Sequence, residues 1–549
     1  MRIHILLIIT LLTITSCNAQ KSLENYVGGW AGKLEYKNPF QFNIEIITTE
    51  EGSTSVFKGK NSITEIPLKA ENATYLVGQY KDQLIIRIDT TQTTPIAFVQ
   101  TGHHLSNIDL NLTSKGNWSG NWNLLIEDSF LPTMYFSLDK QEDNSYSAST
   151  FFKEPTYHYM WGQDFKIGHD NFEFRDIRSN LNFNGKLKEQ RIDLTLNFLK
   201  ESTKIELSPL PYEQWLIGDY SESIDNSHSS HFSKLVTDIK NDTLEGTHSV
   251  VISQYGEVIF ETYFDGFTSS VPHDTRSLSK SFASALVGIA IAEQKLSEEH
   301  LPIEEFFENQ YPEIDWKEGK DEITIHHLLT MSSGLDAIDF GLNRNSFANE
   351  GAYQSQEDWT NHILKAPMIY EPGEKANYGS GNPHLLSPII SSSIDERLEF
   401  YIHKKLFAPL SIQNYRIQTN NEDQPYFGGG WYLTPRDIMK FGQLYLNNGI
   451  WEEKEILPPH WVNKSFDKYK VLENTIDKNE YGYLFWHKTY NINGKKINSI
   501  EARGSGGQYL VVIPEYELIV VITSGNYRNG KGFQPERIIK NYILPEIEK

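Results

Sequence analysis

Residues 274–288 read Asp274-Thr-Arg-Ser-Leu-Ser-Lys-Ser-Phe-Ala-Ser-Ala-Leu-Val-Gly288, and the placing of Ser277 and Lys280 within them decides what the rest of the chain has to build. The apolar run from Phe282 to Ala292 predicts a helix buried on nearly all sides. Residues three apart at the start of such a helix share a face, which sets the Lys280 ammonium beside the Ser277 hydroxyl. A serine hydroxyl is a weak nucleophile at neutral pH; it needs a base within hydrogen-bond reach and a positive setting for the oxyanion that follows. Burial disfavours the charged form of a lysine and a helix N-terminus acts in the same direction, so Lys280 is suited to be that base. The same spacing recurs by chance at Ser55-Val-Phe-Lys58, in a stretch of strand composition.

Outward from this helix, the chain divides. From Tyr26 to Leu207, short alternating runs such as Phe42-Asn-Ile-Glu-Ile-Ile47 and Ile192-Asp-Leu-Thr-Leu-Asn-Phe198 are separated by Gly, Asn, Asp and Ser clusters, which predicts an all-β barrel or sandwich. Gly29-Trp-Ala-Gly-Lys-Leu34, Gly116-Asn-Trp-Ser-Gly-Asn-Trp122 and Asn184-Gly-Lys-Leu187 read as recurring strand starts and raise the question of a duplicated unit. Trp118, Trp122, Tyr157, Tyr159 and Trp161 are core aromatics by strand propensity, with a sugar- or lipid-binding face as the alternative. Ser208-Pro-Leu-Pro211 reads as a linker. After it, Phe232, Leu235, Val236 and Ile239 follow helical spacing, and Ser249–Ile252 with Val258–Phe260 form a hairpin across Tyr255-Gly256. Gln508–Ile513 and Leu518–Thr523 read as strands joined at Pro514–Glu517, and Glu536–Ile547 as a terminal helix. Strands at both ends with helices between them predict one antiparallel sheet flanked by helices, an α+β domain carrying an all-helical lobe. The expected boundaries are 1–19 for a signal peptide, 20–207 for the all-β domain, 208–228 for the linker and 229–549 for the catalytic domain.

The chain of 549 residues carries a formal net charge of −22, which argues against nucleic acid or an anionic membrane surface as partner. Arg2 followed by the apolar Ile3–Ile14 reads as an export signal too short to span a membrane. The single cysteine, Cys17, follows Ile14-Thr-Ser. This resembles the lipobox of bacterial lipoproteins, in which the cysteine is acylated; ordinary cleavage after Ala19 is the alternative. A mature chain otherwise free of cysteine suits an oxidising compartment, periplasmic or cell-surface.

Five segments then occur in order: His273-Asp-Thr-Arg-Ser-Leu-Ser-Lys-Ser281, Ile323-Thr-Ile-His-His-Leu-Leu-Thr-Met-Ser-Ser-Gly-Leu335, Pro372-Gly-Glu-Lys-Ala-Asn-Tyr-Gly-Ser-Gly-Asn382, Gly428-Gly-Gly-Trp-Tyr-Leu-Thr-Pro-Arg-Asp437 and Gly504-Ser-Gly-Gly-Gln508. Over roughly 230–545 the chain resembles the serine β-lactamase and penicillin-binding-protein-like hydrolases, in the branch of class C β-lactamases, esterases and 6-aminohexanoate-dimer hydrolases. The resemblance implies that Ser277 is acylated, that Lys280 is its base, and that Tyr378 relays the proton to the leaving group, a role suited to a phenol acidified by a nearby ammonium. Tyr36-Lys-Asn38, Tyr445-Leu-Asn447 and Tyr527-Arg-Asn529 offer the same triplet without the preceding Pro-Gly turn.

Two positions depart from the β-lactamase pattern. Ser380 stands where many relatives have asparagine, as it does among 6-aminohexanoate-dimer hydrolases, and is expected to bind substrate and Lys280. Ala502 stands at the usual Lys or His position, with Arg503 beside it. Arg503 is expected either to bind a substrate carboxylate or to pair with an acidic surface residue. The backbone N–H groups of Ser277 and Ser505 are expected to form the oxyanion hole, with Gly504 and its small neighbours admitting substrate to the backbone. No Gly-x-Ser-x-Gly elbow is present, and His103-His104 and His326-His327 lack metal-site spacing, so no metal or other cofactor is expected. The expected activity is an exported serine hydrolase acting on a small ester or linear amide in preference to a β-lactam or stem peptide. A catalytically silent binding or sensor module, a true β-lactamase and a D-Ala carboxypeptidase are the alternatives. Contact with a membrane is expected only through the lipid on Cys17.

Overall fold

The computed structural model describes residues 23–36, 38–125, 133–152, 160–215, 232–341, 345–527 and 529–549. The proposed signal peptide with Cys17, residues 216–228 of the proposed linker, and Tyr157 and Tyr159 lie outside the described residues. The chain forms two compact units, divided at Ser221 and Glu222.

In the first unit the alternating runs become antiparallel strands because every second side chain is apolar and faces one core. Ile192, Leu194, Leu196 and Phe198 are buried while their neighbours point outward. Eight strands close into a barrel. Closure comes from Gly28–Lys33, which pairs on one side with Thr133–Lys140 and on the other with Glu201–Pro209. The strands from Gln41–Thr49 to Trp118–Asn123 build a second antiparallel sheet that shares its core with the barrel. Trp122 belongs to that core, stacked 5.8 Å from Phe42.

Two expectations are corrected here. Ser208 and Pro209 are not linker: they end the last barrel strand, paired with Ala31 and Trp30. Proline is tolerated there because it sits at the strand's terminus. The chain stays with this unit as far as Trp215, which stacks 5.1 Å from Tyr135. Asn184–Leu187 lies inside the strand Asn182–Lys188 and starts nothing. Its glycine answers to packing, since a Cβ on Gly185 would fall 2.1 Å from the Phe172 ring.

In the second unit the strands at the two chain ends meet. Thr247–Gln254 pairs with Glu257–Tyr263 on one side and Leu518–Ser524 on the other, and the sheet continues through Gln508–Ile513, Lys495–Gly504 and Trp486–Ile492. All of these pairs are antiparallel. One face is covered by the helix Ser233–Lys240 and the terminal helical segment Gln534–Ile547, through Leu235, Val236, Ile239, Ile538, Ile543 and Leu544. On the other face lies the helix Pro435–Leu446, whose Gly442 admits Leu510 and Ile519 of the sheet. Between the two sets of strands stands a helical lobe that includes Lys280–Ala292 and Gly381–Ser393. The fold is thus an all-β barrel with a second sheet, followed by an α+β domain. Among the described residues no helix is long and apolar enough to cross a membrane.

The nucleophile helix, Lys280–Ala292, is buried from Lys280 to Ala290. Phe282 stacks on Phe441 with ring centroids 3.7 Å apart, and the Trp461 indole N–H donates to the Ser284 carbonyl at 3.0 Å. That indole lies across Gly288, where a Cβ would come within 2.3 Å of it. Glycine normally weakens a helix interior by about 1 kcal/mol relative to alanine. Here the sign reverses: Gly288→Ala is expected to destabilise the protein by about 1–3 kcal/mol through overpacking, measured as a lowered urea midpoint at constant m.

Candidate active site

The nucleophile helix does not begin at Ser277. Arg276–Ser279 form a 3-10 turn, and Lys280 opens the α-helix proper. Arg276, immediately before the serine, sits in the left-handed region at φ 51°. Such a conformation costs a non-glycine residue energy and persists only where neighbours hold it. Asp274 supplies the hold. Its Oδ1 accepts the Arg276 N–H at 2.9 Å and its Oδ2 pairs with the guanidinium at 3.0 Å. Buried His273 stacks on Phe267 behind this turn and contacts buried His248 at 2.7 Å; burial pushes His273 down to about 4, so it stands neutral.

Lys280 is 1% exposed. Its Nζ is hydrogen-bonded to Ser277 Oγ at 2.8 Å, and it meets Ser380 Oγ at 2.9 Å and the Gly428 carbonyl oxygen. Its hydrogen-bond partners are two hydroxyls and a carbonyl, with no carboxylate among them. Ser380 caps the helix Gly381–Ser393. The strand-like segment before that helix is pressed against Ala337, whose carbonyl oxygen would lie 1.8 Å from a Cβ on Gly379. Tyr378 is buried, its ring centroid 5.2 Å from Lys280 Nζ. Phe340 stacks on it at 5.3 Å and Trp486 lies at 5.2 Å. The expectation of an acidified phenol is corrected: burial raises the Tyr378 pKa and outweighs the pull of the Lys280 charge and of the Ser277 hydroxyl. Ser277, Lys280, Tyr378 and Ser380 therefore come together, the serine and lysine as the spacing required.

Two members of the site carry no motif signal. Asp339 accepts both the backbone N–H of Ser380, at 2.9 Å, and its hydroxyl, at 2.7 Å, on Oδ2, while Oδ1 accepts the Glu350 N–H at 3.0 Å. Burial, helped by the Glu350 charge, pushes the Asp339 carboxyl up to about 6 against the pull of Lys280 and Ser380. Asn474 holds Tyr378 by its backbone: Oδ1 accepts the Tyr378 N–H at 2.7 Å, and Nδ2 donates to the Tyr378 and Phe340 carbonyls at 3.1 and 3.0 Å. Their partners are distant in sequence or sit in irregular backbone, so neither periodicity nor spacing marks them.

The strand edge differs from expectation. Gly504 ends Lys495–Gly504 against the nucleophile turn, and a Cβ there would lie 2.1 Å from the Thr275 carbonyl oxygen. Its small size thus serves the approach of strand to turn, not of substrate. Gly506 and Gly507 are likewise filled by the protein, by the Tyr527 ring at 2.3 Å and Ser524 at 3.0 Å. Ser505, next in the chain after Gly504, is carried to the same end of the sheet as Ser277.

Of the two roles expected of Arg503, the ion pairs support pairing with acidic residues. It is 7% exposed and bridges buried Glu501 at 2.7 Å and Glu536 at 3.0 Å, between the rings of Trp486 and Tyr509. Its guanidinium faces are spent on the fold because strand alternation places it opposite the buried side of Ala502. His326 and His327 also serve structure, the first contacting the Tyr483 hydroxyl at 2.8 Å and the second closing a capping box with Thr324. Among the described residues no group of three or more His, Cys, Asp or Glu is placed to hold a metal ion. Arg503→Met is expected to lower stability by about 3–5 kcal/mol, because Glu501 is left as a buried charge without its partner; chemical denaturation of the full chain measures it.

The family model described as Beta-lactamase matches residues 240–541. Among solved structures, a Bacillus anthracis protein assigned as a 6-aminohexanoate-dimer hydrolase aligns at 19% identity and a TM-score of 0.48, over 62% of this chain and 95% of its own. A Bacteroides dorei protein assigned as a β-lactamase aligns at 17% identity and a TM-score of 0.48, over 59% and 100%. A penicillin-binding protein from Bacillus halodurans aligns at 17% identity and 0.42, over 56% and 99%. No curated protein matches the chain. The family match takes in more than half of the 549 residues and all five ordered segments, and the chain belongs to the beta-lactamase family of serine hydrolases.

Proposed function

We propose that the protein is an exported hydrolase that cleaves an ester or amide through an acyl-enzyme on Ser277. The observation that carries this reading is the 2.8 Å hydrogen bond between Lys280 Nζ and Ser277 Oγ in a buried setting where Lys280 meets hydroxyls and a carbonyl instead of a carboxylate. Two hydroxyls and a carbonyl, unlike a carboxylate, put no opposite charge in hydrogen-bond contact with Nζ, and they leave it beside the hydroxyl to be activated.

In the first half-reaction the Ser277 proton passes to neutral Lys280 as Oγ bonds to the substrate carbonyl carbon. The carbonyl oxygen becomes an oxyanion, received by the backbone N–H groups of Ser277 and Ser505. Collapse breaks the bond to the alcohol or amine, which leaves with a proton supplied by way of Tyr378. Tyr378 is fit for this as a neutral phenol, since its raised pKa keeps the proton on it until the leaving group takes it. Water then attacks the acyl-serine, and the acid departs as Ser277 regains its proton.

The strand edge supports a substrate without a carboxylate beside the scissile bond. Ala502 offers no charge, Arg503 is held by Glu501 and Glu536, and Arg276 is held by Asp274. We favour a small ester or linear amide over a β-lactam or stem peptide for this reason. The export signal and the acylated Cys17 complete the reading, placing the enzyme in the periplasm or at the cell surface on a lipid anchor.

Intact-mass measurement after treatment with a fluorophosphonate is expected to show one phosphonyl adduct, absent from Ser277→Ala; folded wild-type protein that takes up none would overturn the proposal. Turnover of p-nitrophenyl acetate is expected to exceed that of nitrocefin, and the reverse order, or a penicillin adduct that never turns over, would move the assignment to a β-lactamase or a sensor. Mature protein beginning at Gln20 without a lipid would remove the anchor.

A further inference from the structure

The Ser380 hydroxyl has one proton and can either donate it toward Lys280 or accept a hydrogen from Lys280. Asp339 decides between the two. Its Oδ2 receives both the backbone N–H and the hydroxyl of Ser380, at 2.9 and 2.7 Å, and the Glu350 N–H at 3.0 Å occupies Oδ1. An ionised carboxylate only accepts, so the Ser380 proton points to Asp339 and the Ser380 oxygen is left to accept from Lys280. The Gly428 carbonyl is an acceptor by nature.

An uncharged lysine amine has two N–H bonds and one lone pair in tetrahedral array. With Ser380 and Gly428 both restricted to accepting, the two N–H bonds are drawn to them, and the third direction, along which Nζ meets Ser277 Oγ at 2.8 Å, is the one left for the lone pair. Were Ser380 free to donate, its proton would compete for that lone pair and the amine would be turned away from the nucleophile. Resting on the acyl-enzyme reading above, we infer that Asp339 is a positioning residue which, through Ser380, aims the lone pair of Lys280 at the proton of Ser277.

The arrangement has a built-in dependence on protonation. Burial and the Glu350 charge bring the Asp339 carboxyl up to about 6. Above that pH it is ionised and accepts from Ser380; below it, a proton on Oδ2 donates to Ser380 and reverses the hydrogen bond. Activity that depends on this device therefore rises as pH increases through about 6. The groups facing Asp339 are Lys280 at the head of the nucleophile helix, Glu350 and Tyr353 on the helix Glu350–Gln354, and Tyr378 ahead of the helix Gly381–Ser393.

The test measures the rate constant for phosphonylation of Ser277 in the full chain, for wild type, Asp339→Ala, Ser380→Ala and the double variant, across pH 5 to 9. Asp339→Ala is expected to slow labelling about 10- to 100-fold, part of what general-base catalysis supplies as a whole, and Ser380→Ala to act similarly. The double variant is expected to be no slower than the slower single, because Asp339 acts only through Ser380. A structural role for Asp339 would instead multiply the two losses, and that outcome, or a wild-type rate in Asp339→Ala, would overturn the inference. Should Asp339→Ala fail to fold, Ser380→Ala decides alone: loss of the acid limb near pH 6 supports the inference and its persistence overturns it. Absence of any adduct in wild type would sink the hydrolase reading itself, whereas an adduct indifferent to Asp339 and Ser380 would leave the hydrolase standing and remove only the positioning role.

Discussion

The buried amino group of Lys280 is the constraint on which the second unit depends. A polar nitrogen removed from water costs several kcal/mol unless it is matched by hydrogen bonds of good geometry. Lys280 Nζ meets three oxygens, those of Ser277, Ser380 and the Gly428 carbonyl. These oxygens come from a turn, a helix cap 100 residues on and a loop 148 residues on from the lysine. No local structure can deliver all three. The site therefore exists only when the sheet, the nucleophile helix and the helical lobe are docked together, and the large aromatic contacts of Phe282, Phe441, Trp431 and Trp461 supply much of the apolar burial that holds them there.

The strand Lys495–Gly504 is fixed against this centre by a second buried charge pair. Arg503 meets Glu501 and Glu536, and Glu501 also accepts from Ser499 and from the Tyr490 hydroxyl at 3.0 Å. A buried charge network of this kind adds rigidity and specificity more than net stability. The rigidity falls where it matters, because Gly504 lets the strand end rest on the Thr275 carbonyl, one residue before the left-handed Arg276 that presents Ser277. Strand end and nucleophile turn thus rest directly on each other, and closely packed supporting groups are what an oxyanion site requires.

What the sequence disclosed follows the range of the interactions concerned. Ser277 and Lys280 were legible because three residues of helix fix their relation, and the terminal strands because period-two burial marks them without knowledge of partners. Ser208 and Pro209 were misread because proline breaks strands in general, and only the pairing with Trp30 and Ala31 shows that a barrel edge tolerates it at a strand end. Arg503 and Gly504 have partners that were hidden for a related reason. Their chemistry permits a substrate contact, but Glu536 and Thr275 reach them first, across sequence distances that leave no periodic trace. Asp339 was hidden inside an irregular segment, where one carboxylate among several has no spacing to distinguish it. The direction of the Tyr378 shift was missed because an ammonium nearby is visible in a motif whereas the depth of burial is not.

Ser380 shows how a substitution at a motif position changes more than one property. An asparagine there would present a carbonyl to the lysine and an N–H donor to a bound substrate at the same time. A lone serine has a single proton for both tasks. Here that proton goes to Asp339, and the Ser380 oxygen is left to accept from Lys280, so Ser380 and Asp339 together reproduce the acceptor that Lys280 meets. The acceptor toward Lys280 is thus shared between two side chains from different segments of the chain.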